Sequence, residues 1–363
     1  AAKSFTLQVN DVSGLDSPWP LIGGLPFPEG ELRDPARIRI VNADGEEVPA
    51  QIDVTATWQD GSIRWALAGM NASPQGEYRV EYGPDVSRSA PEQPLTVTQA
   101  ADGALTVDTA VAVYEFKSDR LLPDSGRMGD TMVLSESGDG AYLIDNRGRL
   151  ARVAGADAEI DTQILKQGPV RTVIRRAGWY VTREGERIAR AKVWLYFTAG
   201  SPFVRITHSL VFTEDTNEVW VRDYGIEFRA PEQPEEAAFA LSEATWADRY
   251  IGARPPEDEE RRRELAEMFS SGLAEREQTL FTVEPGGNEV YMLQENYPHV
   301  LERKFRAAVV RAPSPLMTGD GAVNQENLWV HQWLKEFDVA GDWAEARYDD
   351  HSLMVVMPQL AQR

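Results

Sequence analysis

An all-β protein of sandwich or barrel architecture is predicted by three observations. Short runs of β-branched and aromatic residues recur along the chain, among them "ARIRIVNADGEEVPAQI", "EYRVEYGPD", "LTVDTAVAVYEF" and "VRTVIRRAGWYV". Gly, Pro, Asn and Asp separate them, as they separate strands that half-bury a pleated face. In "NADG" and "WQDG" an Asp-Gly pair sits between two such runs, where a tight hairpin turn favours these residues. Only "PPEDEERRRELAEMFSSGLAEREQ", residues 255–278, has helix-forming composition, with Pro at its start and acidic residues in its first turn. It reads as a single surface helix inserted between strands.

The stretch "GPDVSRSAPEQP", residues 83–94, is rich in Pro and Ser and has no apolar period, so a domain boundary is expected there. It divides the chain into a small domain over 1–90 and a large one over 95–363, the latter carrying the helical insertion.

The 363 residues, 42% of them hydrophobic, suffice for two or three packed domains, and no apolar run approaches the length of a membrane-spanning helix. With 37 Lys+Arg against 58 Asp+Glu the formal charge is -21, which repels nucleic acid and anionic membranes at long range. Neither is an expected partner. The same charge repels an acidic glycan, so binding one requires a local cationic pocket. There is no cysteine, which excludes disulfides and thiolate chemistry. The opening "AAKSFTLQV" lacks Met and a leader, and leads to an expectation of an exported protein, secreted or periplasmic.

Four segments taken in order, "PLIGGLPFPEGEL" (20–32), "VPAQIDVTATWQDGSIRWALAGM" (48–70), "LKQGPVRTVIRRAGWY" (165–180) and "AKVWLYFTAGSPFVRITHSLVFTED" (191–215), resemble the exo-rhamnogalacturonan lyase-like proteins of polysaccharide lyase family 26 and related ulvan lyases. That resemblance implies a small RIFT-type barrel followed by a large β-sandwich. It also implies β-elimination on a uronate-containing acidic polysaccharide or oligosaccharide, with a C-terminal helical domain as a further, missing partner. Within it "WQDGSIRW" reads as a fold signature: the turn lies at Asp60-Gly61, and Trp58 and Trp65 pack the barrel or its contact with the sandwich.

Elimination at a uronate needs a base for the C5 proton, an acid for the leaving oxygen and a cation for the carboxylate. Strand alternation in "IARAKVWLYF" places Arg190, Lys192, Trp194 and Tyr196 on one face and Ala191, Val193, Leu195 and Phe197 on the core face. A symmetric hairpin with "FVRITHSLVF" sets Lys192 opposite His208 and Tyr196 opposite Val204. A slip by one residue would bring Arg205 and Thr207 to the Lys192 face instead. The same period in "EVWVRDYGIEF" groups Trp220, Arg222 and Tyr224.

Lys192, Tyr196, His208, Arg222 and Tyr224 are therefore the expected catalytic set. Trp194 and Trp220 are expected to be sugar-stacking walls, and Arg190, Tyr297 and His299 further substrate contacts. Core packing of His208 and the tryptophans, or a solvated sheet face for the cations, would account for the same pattern. His331 and His351 are weaker candidates. Asp223 and Glu227 share a face but stand about 13 Å apart at four strand residues, too far for a hydrolase carboxyl pair. "YDDH" lacks metal-ligand spacing, and neither metal nor cofactor is expected. A non-catalytic carbohydrate-binding or scaffold protein built from the same β-domains is the competing class, and a glycoside hydrolase with its carboxyl pair on neighbouring strands is a minor alternative.

Overall fold

The computed structural model describes residues 2–9, 17–135, 140–242, 278–287, 289–296, 305–312, 332–337 and 339–357. These form strands throughout, and among them the only helical turns are two three-residue 3-10 turns. The helix expected over 255–278 lies outside the described residues, apart from Gln278, which begins a strand.

The N-terminal barrel comprises β1 (Lys3–Leu7), β2 (Trp19–Pro26), β3 (Ile38–Asn42), β4 (Glu47–Val48), β5 (Ala50–Thr57), β6 (Ile63–Ala72) and β7 (Tyr78–Tyr82). They pair as β1-β7-β3-β4 and β2-β6-β5. Alternate residues such as Leu25, Ile40, Ile52, Ala66, Ala68 and Val80 close a dry interior. The turn in "WQDGSIRW" forms where Asp60-Gly61 stand: Gly61 has φ +80, and the Trp58 N–H donates to the Ser62 carbonyl at 2.8 Å. Trp58 also donates its indole N–H to the Phe27 carbonyl at 2.9 Å. Trp65 lies on the barrel surface, 44% exposed, over Gly24, where an added Cβ would come within 2.7 Å of its ring.

A Gly61→Ala substitution places a Cβ in left-handed backbone and 3.2 Å from the Arg33 guanidinium. It is expected to cost about 1–2 kcal/mol, read as a lower urea midpoint with an unchanged denaturant slope.

The sandwich follows with β8 (Thr96–Gln99), β9 (Leu105–Asp108), β10 (Val113–Phe116), β11 (Ser125–Met128), β12 (Thr131–Leu134), β13 (Gly140–Asp145), β14 (Leu150–Arg152), β15 (Asp161–Lys166), β16 (Arg171–Thr182), β17 (Arg187–Thr198), β18 (Arg205–Phe212) and β19 (Val221–Glu227). One sheet runs β12-β11-β10-β9-β8. The other runs β18-β17-β16-β14-β13-β19, with β15 also paired to β16. Phe197 on β17 meets Tyr114 and Phe116 on β10 at ring-centroid distances of 5.7 and 6.2 Å, and this contact joins the two sheets.

Barrel and sandwich belong to one compact unit, Ala1–Pro231. Gln51 accepts the Arg171 backbone N–H at 2.9 Å, Asp53 pairs with Lys166 at 3.1 Å, Asn71 donates to the Gly200 carbonyl at 2.9 Å, and the Trp19 and Phe203 rings lie 4.5 Å apart.

The span 95–363, expected as one large domain, holds a second compact unit, Glu232–Arg363. Its strands are β20 (Glu236–Ser242), β21 (Gln278–Val283), β22 (Glu289–Asn296), β23 (Phe305–Ala312), β24 (Gln332–Phe337), β25 (Val339–Arg347) and β26 (Ser352–Val356). They pair as β21-β20-β25-β26 and β22-β23-β24 around Phe239, Leu241 and Val309.

Candidate functional site

The hairpin β17–β18 decides where the expected site residues go. Lys192 stands opposite Ser209, Val193 opposite His208, Trp194 opposite Thr207 and Tyr196 opposite Arg205. The symmetric register, with Lys192 facing His208, is thus corrected by one residue, and the two side chains occupy opposite faces of the sheet. The loop explains the shift. The Ser201 N–H closes a turn onto the Thr198 carbonyl at 3.2 Å, with Gly200 at φ +70. Pro202 has no N–H for the ladder, and its carbonyl accepts the Tyr114 hydroxyl. The turn is therefore off-centre.

On the inner face, His208 shares a hydrogen bond with the Tyr180 hydroxyl through Nε2 at 2.9 Å. Its ring lies 5.9 Å from that of Tyr224. The three form a gradient of access, since Tyr180 is fully buried, His208 is half-buried and Tyr224 is 53% exposed. Burial holds His208 below the ordinary imidazole range. Burial first, and the negative charge that Tyr224 carries when ionised second, push the Tyr180 phenol well up. At neutral pH the pair is a neutral imidazole against a neutral phenol, a state in which one group can take a proton and the other keeps its own.

Arg222 and Trp220 depart from the simple period. The β13–β19 pairing passes from Ile144↔Asp223 to Asp145↔Val221, so Arg222 is the extra residue of a β-bulge, and alternation no longer assigns it to the Tyr224 face. Trp220 is 57% exposed, its backbone held by Asn146, which accepts its N–H at 2.9 Å and donates to its carbonyl at 3.0 Å. That Asn146 turn is itself anchored by fully buried Asp145, which accepts from the Arg147 and Arg149 backbones at 2.9 Å and from Arg149 Nε at 2.6 Å.

The outer face of β16–β18 carries the other expected residues in a chequered array. Along β17 run Arg190, Lys192, Trp194 and Tyr196, all half-buried. Across the pairs, Trp179 faces Arg190, Arg175 faces Trp194, and Arg205 faces Tyr196. The Tyr196 ring has the Arg171 and Arg205 guanidinium carbons at 5.6 and 5.5 Å, and the Trp179 ring has those of Arg187 and Arg190 at 5.6 Å each. Arg175 is paired with Asp161 at 2.7 Å and Arg187 with Glu159 at 2.7 Å. Arg171, Arg190, Lys192 and Arg205 have no acidic partner within ion-pair distance among the described residues.

The chain carries, over residues 19–83, the PcRGLX-like N-terminal RIFT barrel domain, and over residues 124–238 the PcRGLX-like protein central beta sandwich domain. These two matches mark the barrel and the sandwich as PcRGLX-like domains. No curated protein matches this chain. Among solved structures it is similar to a protein in the Glycosyl Hydrolase Family 38 from Enterococcus faecalis, at TM-score 0.41 and 9% identity, over 99% of this chain and 43% of that one.

Of the expected set, the structure brings His208 together with Tyr224 on one face, and Arg190, Lys192, Trp194 and Tyr196 on the other. Tyr297, His299 and His331 lie outside the described residues. His351 stacks on Tyr348 at 4.5 Å and bonds Asp350 at 2.7 Å. Asp223 and Glu227 are engaged separately, by the Tyr142 hydroxyl at 3.5 Å and by Arg152 at 3.0 Å. Tyr180, Arg171, Arg175 and Trp179 are absent from the sequence-derived set, and Arg205 enters it only through the one-residue slip that the structure adopts. The β16 alternation in "VRTVIRRAGWYV" separates Tyr180 from Trp179 and Arg175, but nothing in the sequence fixes which strand pairs with β17 on that side.

Proposed function

We propose that this chain acts as a rhamnogalacturonan lyase-like protein on a uronate-containing acidic glycan of rhamnogalacturonan or ulvan type, by β-elimination. The observation that carries the reading is the Tyr180–His208–Tyr224 cluster, which offers a neutral imidazole between a buried phenol and an exposed one. With its Nε2–H directed to the Tyr180 oxygen, His208 presents Nδ1 as the base that takes the C5 proton. The C5–H electron pair forms the C4–C5 double bond, and the C4–O4 bond breaks. Tyr224 gives its proton to the departing O4. Tyr180 is a positioning residue, since it reaches the substrate only through His208.

The test is a screen of rhamnogalacturonan I, ulvan and polygalacturonate, read by ultraviolet absorbance of the unsaturated uronate. The expected result is a rise with at least one glycan, reduced by about 10²-fold or more in Tyr224→Phe. Binding without any rise would assign the chain to non-catalytic carbohydrate recognition.

The low-lying His208 pKa gives a pH dependence. A base must be unprotonated, so activity persists below the ordinary imidazole range of about 6.5 and is lost as pH falls through the depressed value. Stability moves with the same sign. Between the folded value and about 6.5 the unfolded chain binds more protons, so stability declines as pH falls through that window. Chemical denaturation at a series of pH values checks this against His208→Gln, which should remove that component of the decline.

A further inference from the structure

We propose that the outer face of β16–β18 is a second glycan-binding surface, separate from the His208 cluster, that takes carboxylate-bearing sugar chains. The proposal rests on the reading of an acidic glycan as ligand but does not depend on cleavage. Its centre is Tyr196 between Arg171 and Arg205. Both guanidinium carbons lie within cation–π range of the one ring, and neither side chain has a hydrogen bond or an ion pair among the described residues, so their N–H donors are open to a carboxylate. Asp53, whose charge bears on Arg171, is held by Lys166 at 3.1 Å. Two like charges in this position repel each other, and a carboxylate arriving in the plane of either fork relieves the repulsion with two parallel hydrogen bonds.

The rest of the face continues the same chemistry. Lys192 and Arg190 stand two residues apart on β17, about 6.6 Å along the strand, with no acidic partner among the described residues. The Arg190 Nε is buried without a hydrogen-bond partner. Trp194 lies between Lys192 and Tyr196, so cation and aromatic face alternate at the strand repeat. That spacing suits a chain of sugars, each presenting an apolar ring face and a carboxylate, better than a polyanion that offers charge alone. The -21 charge of the whole chain opposes long-range attraction, so capture depends on these short-range contacts.

The test is calorimetric titration of an oligogalacturonate, and of the same oligomer after carboxyl reduction, into the full chain in a His208→Ala background, so that turnover cannot consume the ligand. Binding of the acidic oligomer is expected, weakened about tenfold or more in the double variant Lys192→Gln/Arg205→Ala and weakened comparably by carboxyl reduction. Arg205→Ala alone, at an exposed position whose side chain makes no hydrogen bond among the described residues, provides a variant expected to fold. Unchanged affinity in both variants, equal binding of the reduced oligomer, or no binding of the acidic one overturns the proposal. Product formation in the glycan screen is read separately. An inactive chain that still binds by this face refutes the elimination reading and leaves this one standing.

Discussion

A His208→Ala chain is expected to lose about 10²- to 10⁴-fold in kcat/KM on its acidic glycan while keeping its fold and its affinity for that glycan. In the proposed elimination the imidazole acts on the C5 proton as it leaves, an interaction made in the transition state and not in the bound ground state, so the loss is expected in kcat. The substitution also leaves the buried Tyr180 hydroxyl without its partner at 2.9 Å, which costs about 1–3 kcal/mol of stability. Kinetics are therefore compared at a temperature where circular dichroism shows both chains folded. Tyr180→Phe separates orientation from chemistry. It keeps the base but frees the ring, so the expected outcome is a smaller fall in kcat with a displaced acid limb of the pH profile. A purely structural role for Tyr180 would leave that limb in place.

Arg176→Ala is expected to be the most destabilising single substitution in the sandwich, by about 3–5 kcal/mol. Arg176 is completely buried, lies over the Phe116 ring at 5.4 Å, and donates to Thr162 Oγ1 at 3.0 Å and to the Lys117 and Ser118 carbonyls at 2.9 and 3.2 Å. No carboxylate bonds it among the described residues, and burial lowers its pKa to about 10. Truncation to alanine removes all three bonds and leaves a cavity under Phe116. Arg176→Met fills most of that volume and relieves the desolvated charge, while the two carbonyls still lose their donor, so the expected loss is about 1–3 kcal/mol. Urea denaturation of both variants checks the order. Equal losses would show that charge burial and cavity formation are not what this position controls.

Much of the fold was legible because alternation is a local property. The inward set Ala191, Val193, Leu195 and Phe197 and the outward set Arg190, Lys192, Trp194 and Tyr196 follow from the pleat alone. The Asp60-Gly61 turn follows from the need for positive φ. The site was less legible because it depends on pairing. A symmetric hairpin sets His208 beside Lys192, and a loop shortened on one side by the Thr198–Ser201 turn moves it to the other face. The period that groups Arg222 with Tyr224 is interrupted by a bulge. Tyr180 sits on the inner face with Thr172, Ile174 and Arg176, a pattern no different from a core strand until His208 and Tyr224 are brought against it from β18 and β19, strands that lie at opposite ends of the sheet order. The cationic face was half visible on β17. Arg171 and Arg205 join it only once the neighbouring strands are in register.

Product structure tests the central claim most directly. After digestion of rhamnogalacturonan I or ulvan, mass spectrometry of the fragment that carries the former C4 position should show it one water lighter than the hydrolysis product, with a C4–C5 double bond seen by ultraviolet absorbance and NMR. A fragment of full hydrolytic mass and no double bond would contradict elimination and place the chemistry outside the Tyr180–His208–Tyr224 cluster.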